Sequence, residues 1–203
     1  MDSMNCPDPT EEATAVARPA REALAVGCVE TSSIARGVEA ADGMLKAARV
    51  QLLACNPVCP GKYIVMVGGL VAEVEASVRA GQALAADTLV DTTVIPRVHP
   101  QVLEAFSAAT MPAKVEAIGM IETFSLVASV LAGDQAVKAA RVDLLEIRLA
   151  RALGGKAYVL LTGEISAVRA ALDAGERAAR ENGLMLGTTL IPSPHPDLLP
   201  KLL

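Results

Sequence analysis

The sequence predicts a mixed α/β (α+β) protein made of two tandem copies of one small domain, each an antiparallel sheet with helices on one face. Three observations carry this. Blocks of sequence recur in the same order at a shift of about ninety residues. Alternating apolar stretches are interleaved with stretches whose apolar residues fall at helical spacing. The two copies, taken separately, give the same element order, the ferredoxin-like β-α-β-β-α-β.

The repeat is explicit. Ala25-Val-Gly-Cys-Val-Glu-Thr31 returns as Ala117-Ile-Gly-Met-Ile-Glu-Thr123, and Lys46-Ala-Ala-Arg-Val50 as Lys138-Ala-Ala-Arg-Val142. Gly61-Lys62 returns as Gly155-Lys156, and Ile95-Pro-Arg-Val-His-Pro100 as Ile191-Pro-Ser-Pro-His-Pro196. Four matched blocks in order divide the chain into an N-terminal arm (1–21), a first domain (22–107), a linker (108–113) and a second domain (114–203). Met111-Pro112 among small residues suits the linker.

Within each copy the elements follow from local pattern. Leu24 to Thr31 alternates apolar and small residues as a strand. Ile34, Val38, Ala41, Leu45 and Ala48 fall on one helical face, as do Leu126, Val130, Gly133, Val137 and Ala140. Ser32-Ser33 and Phe124-Ser125 supply the N-caps. Val50–Cys55 and Tyr63–Val67 read as strands around a Pro/Gly turn, repeated at Val142–Arg148 and Ala157–Leu161. A second helix presents Val71, Val74 and Val78, matched by Ile165, Val168 and Leu172. The last strand, Thr88–Ile95 or Met185–Ile191, ends at a proline.

Composition bounds the function. The 203 residues are 52% apolar yet contain no Trp, two Tyr and two Phe. Small side chains of this kind let helices lie close on their sheets. Only 20% of residues are charged, which points to an exterior partly covered by oligomerisation. A net charge of −5 with no basic cluster argues against nucleic acid as a partner. No apolar run is long enough to span a bilayer, and the acidic, proline-bearing start has no signal pattern. A cytoplasmic setting makes Cys6, Cys28, Cys55 and Cys59 free thiols or metal ligands rather than disulfides. No phosphate loop, dinucleotide fingerprint or nucleophile–base pair is present, so no enzyme is expected. Gly68-Gly69 lacks the remaining glycines of a nucleotide loop and reads as a turn.

These motifs together resemble the bacterial microcompartment shell domain: Ala25 to Thr31, Gly37-Val-Glu-Ala-Ala-Asp42, Lys46 to Val50, and the closing Ile95-Pro-Arg-Val-His99. The resemblance covers both copies and omits only the arm. It implies a shell location, a homotrimer imitating a six-domain hexagonal tile, and other shell proteins as neighbours, with enclosed redox enzymes as further candidates. Cyclic assembly is consistent with this, since a duplicated chain needs three copies rather than six. By the same resemblance Lys46, Lys138 and Arg97 belong to the tile edge, while Ser193 replaces the arginine in the second copy. The alternative is that these are ordinary solvated charges. His99 and His195 repeat one structural position, with no acidic or thiol neighbour at ligand spacing.

The copies differ most at the turn between the second and third strands. Asn56-Pro-Val-Cys-Pro-Gly-Lys62 stands against Leu149-Ala-Arg-Ala-Leu-Gly-Gly-Lys156. In the family this turn lines the central pore, which implies pore positions for Pro57, Val58, Pro60, Gly61, Gly154 and Gly155. The segment Pro57 to Tyr63, with Thr31-Ser-Ser-Ile-Ala-Arg-Gly37, resembles the iron–sulfur-carrying tandem shell proteins of propanediol-utilisation microcompartments. That implies one 4Fe-4S cluster per trimer, held by three Cys59 thiolates, for electron transfer across the shell. Three thiolates suit three irons of a cube, and free amides at the turn offset its negative charge. Zinc on three thiolates, or an unligated thiol in a plain metabolite pore, remains open from the residues alone. Cys55 reads as core packing or a thiol behind the site, Cys28 as a small hydrophobe, and Cys6 as incidental. A tandem regulatory module binding a small effector between its copies is the alternative class.

Overall fold

The computed structural model of the chain describes residues 24–107, 115–148, 154–181 and 184–202. The expected arm (1–21) and linker (108–113) lie outside the described residues. Each copy forms one four-stranded sheet in which every neighbouring pair is antiparallel. In the first, β1 (Ala25–Thr31), β2 (Gln51–Val58), β3 (Lys62–Gly69) and β4 (Leu89–Ile95) take the order β2-β3-β1-β4. In the second, β5 (Ala117–Thr123), β6 (Asp143–Arg148), β7 (Ala157–Gly163) and β8 (Met185–Ile191) take the matching order β6-β7-β5-β8.

Helices α1 (Ile34–Ala47) and α2 (Val71–Ala85) cover one face of the first sheet, and α4 (Leu126–Ala139) and α5 (Ile165–Glu181) pack on the second. The approach is close because Gly27 has no side chain: a Cβ there would lie 2.4 Å from Val78 Cγ2 on α2. The N-cap is the second residue of each pair, a serine in both, since Ser33 Oγ accepts from Arg36 N and Ser125 Oγ from Ala128 N.

Three differences from the sequence expectation have physical causes. The hairpin strands run further than expected because Val58 pairs with Lys62, leaving only Cys59, Pro60 and Gly61 as the loop. Two short helices, α3 (Pro100–Ser107) and α6 (Leu199–Leu202), follow the exit prolines. Helix α3 lies on β6 and α4 of the second copy and buries Val102 and Ala105 there. Finally, α1 turns Gly37, Ala40, Ala41 and Met44 toward its own sheet. Of the face expected to be buried, Ile34, Val38 and Leu45 are exposed. The spacing was helical, but the buried stripe is one of smaller residues, because the close approach to the sheet admits little volume.

Candidate functional site: the joint between copies and the Cys59 turn

The two copies are joined by a buried polar clamp. Glu30, the penultimate residue of β1, is 1% exposed. Its Oε2 accepts from Ser125 Oγ at 2.8 Å, Leu126 N at 2.9 Å and Val127 N at 3.4 Å, which are donors at the start of α4. Its Oε1 accepts from Lys62 Nζ at 3.0 Å, and the same ammonium donates to Phe124 O at 2.7 Å. Asp91 on β4 reaches Ser125 Oγ at 2.7 Å. A carboxylate beside a helix N-terminus meets free amides and a favourable dipole, so the cost of burying it is offset by hydrogen bonds. Around this clamp Val26, Cys28 and Ile95 of the first copy share one apolar core with Leu126 and Val130 of the second. The space between copies is therefore filled with side chains, where a regulatory module would need a cleft. Glu30 was not singled out from the sequence, where it stands only as part of the repeated Glu-Thr strand end, matched by Glu122.

Cys59 sits at the tip of the β2–β3 hairpin, exposed, with a cis bond to Pro60. Gly61 holds φ 76°, and Gly154 and Gly155 hold 61° and 86°, the left-handed region that favours glycine. The second copy's turn meets the first here: a Cβ on Gly155 would lie 2.9 Å from Pro60 Cδ and 3.8 Å from the Cys59 carbonyl oxygen. The two turns thus come together, as a shared opening requires. Val58 is 4% exposed and belongs to the core, because the strand continues through it, so it does not present its side chain at the turn. Among the described residues no group of three His, Cys, Asp or Glu gathers within one chain.

The profile of the BMC domain matches residues 25–98 and 117–194, the two copies found above. The chain belongs to the bacterial microcompartment shell-protein family. It is 41% identical over 174 residues to the shell protein PduT of Citrobacter freundii, an alignment covering 86% of this chain and 95% of that one. The shell protein EutM of Salmonella typhimurium is 44% identical over 84 residues, 41% of this chain and 85% of EutM, as expected if one copy equals a whole single-domain relative. Among solved structures, a microcompartments protein of Desulfitobacterium hafniense superposes with a TM-score of 0.77 at 50% identity, covering 88% of this chain and 98% of that one. PduT and EutM are shell proteins, and this chain is likewise a structural shell protein rather than an enzyme.

The remaining expected positions of this shell-family chain are placed as follows. Lys46, in the last turn of α1, is exposed and paired with Asp42 at 2.6 Å. Its counterpart Lys138 pairs at 2.6 Å with Asp134, which is fully buried and also accepts from His99 N at 2.9 Å. Arg97 is exposed at a φ of 50°. His99 Nδ1 is buried with no hydrogen-bond partner among the described residues, whereas His195 is exposed. Cys28 is core, and burial, with the Asp91 and Glu30 carboxylates nearby, pushes its thiol well above the ordinary range. Cys55 lies 3.2 Å from Tyr63 Oη, a contact that, with burial, raises the phenol to about 12. Among the described residues no helix is long and apolar enough to cross a membrane.

Proposed function

We propose that the chain is a tile of a bacterial microcompartment shell: a pseudohexameric homotrimer whose central pore holds a 4Fe-4S cluster on three Cys59 thiolates. The observation that supports the pore reading most is the contact of the Cys59-Pro60 turn with Gly155. Gly155, at the end of the second copy's turn, lies against Pro60 and the Cys59 carbonyl of the first copy's turn. Cys59 is exposed at the tip of its hairpin, so threefold symmetry would bring three exposed thiols together. That donor set fits a cube with three protein ligands.

One-electron reduction and reoxidation is the chemistry that such a cluster supplies. The chain's own part is to hold the thiolates, to close the pore with Pro60 and the left-handed glycines, and to seat the tile in the wall. Lys46, Lys138 and Arg97 serve the edge, where tiles meet other shell proteins, and redox enzymes enclosed by the shell are the electron partners.

Anaerobic purification tests the cluster. A brown protein absorbing near ~400 nm, as thiolate-ligated iron–sulfur centres do, is expected, with the colour lost in Cys59→Ser. Colourless, iron-free protein would overturn the cluster and leave a shell tile with a plain metabolite pore.

A further inference from the structure

Duplication makes the joint inside one chain a template for a joint between chains. Position by position, each half of the internal joint has an unused counterpart. Glu30 is buried under α4, whereas Glu122, its equivalent on β5, keeps its side chain 41% exposed. Lys156 Nζ holds Glu122 at 3.1 Å, just as Lys62 holds Glu30. Leu126 and Val130 on α4 are buried in the joint, while their equivalents on α1, Ile34 and Val38, are 46% and 51% exposed. On the receiving sheet Cys28 and Ile95 are buried, while Met120 and Ile191 remain partly open. Asp134 is buried against His99 N, but Asp42 is exposed.

The chain therefore carries one satisfied pair of faces and one unsatisfied pair of the same kind. The unsatisfied halves lie in different copies, so a second chain fits them only head to tail, through a heterologous contact. We propose that Glu122, held by Lys156, grips the start of α1 in a second copy of this chain. It accepts from that copy's Ser33 hydroxyl and from the backbone N–H of its Ile34 and Ala35. Ile34 and Val38 of the incoming helix cover Met120 and Ile191, and Asp42 accepts from the His195 amide. This rests on the reading of the chain as a ring-forming tile and assigns the residues that close the ring.

The two joints are not identical. Asp91, the second carboxylate of the internal clamp, aligns with Gly187, since Glu30 pairs with Asp91 and Glu122 with Gly187 in their sheets. The joint between chains thus has a single carboxylate grip, and the ring comes apart there into folded chains before the copies separate.

Sedimentation of the full chain over a dilution series, with circular dichroism as the fold check, tests this. Wild-type protein is expected as a closed ring that dilutes to folded single chains. Glu122→Arg and Val38→Lys each weaken association at least about tenfold, the scale of losing a hydrogen bond to a charged group, with unchanged dichroism. Ser33→Ala weakens the ring alone but adds little on top of Glu122→Arg. A wild-type ring that both variants leave intact would overturn the clamp and spare the tile reading. Wild-type single chains at all concentrations would overturn both. Should Glu122→Arg fail to fold, Val38→Lys, on an exposed helix face, decides between these outcomes.

Discussion

Removal of the Glu30 carboxylate would leave Lys62 Nζ and the first amides of α4 facing an uncompensated gap in the joint. Breaking a buried ion pair of this kind costs about 3–5 kcal/mol, so Glu30→Ala should lose that much in urea denaturation. At dilutions where chains are separate, Glu122→Ala should cost about 1 kcal/mol or less, the scale of a pair open to solvent. Equal losses in the two variants would contradict the asymmetry between the clamps. The thiols differ as sharply. In apo-protein, iodoacetamide should modify exposed Cys59 and spare Cys28 until the chain unfolds, because burial keeps that thiol protonated. Peptide mapping reads this directly. Cys59 was legible in the sequence because the copies differ at its turn. Glu30 went unread because nothing in a strand pattern says that a second copy will dock on it.

At the scale of elements, both sheets and the four long helices were legible, because two copies voted for each boundary. The inward face of α1 was not. Apolar spacing selected Ile34, Val38, Ala41, Leu45 and Ala48, yet of these only Ala41 belongs to the buried side of α1, which is built from Gly37, Ala40, Ala41 and Met44. The larger stripe is real, but it belongs to a contact outside the domain, as Leu126 and Val130 show in the second copy. Helices α3 and α6 were too short to leave a period. The same tight packing makes Gly27 sensitive. A Cβ there meets Val78 and Val74 at 2.4 and 2.7 Å, so Gly27→Val should destabilise the first domain by about 1–3 kcal/mol through overpacking. Thermal denaturation checks it, and an unchanged midpoint would mean that α2 moves away from the sheet freely.

At the scale of the whole molecule, duplication does two things. It supplies two quasi-equivalent joints from one template, and it allows the hairpin tips to diverge, so that only one of each pair carries a thiol. Exposed Lys46 extends the argument to the tile edge: Lys46→Glu should abolish two-dimensional sheets in electron microscopy while leaving rings intact. Loss of the rings themselves would move Lys46 from the edge to the joint. Native mass spectrometry of anaerobically purified protein tests the central claim most directly. It should show three chains carrying four irons and four sulfides, and three chains without them for Cys59→Ser. A single chain, or a three-chain ring free of iron in the wild type, would contradict it.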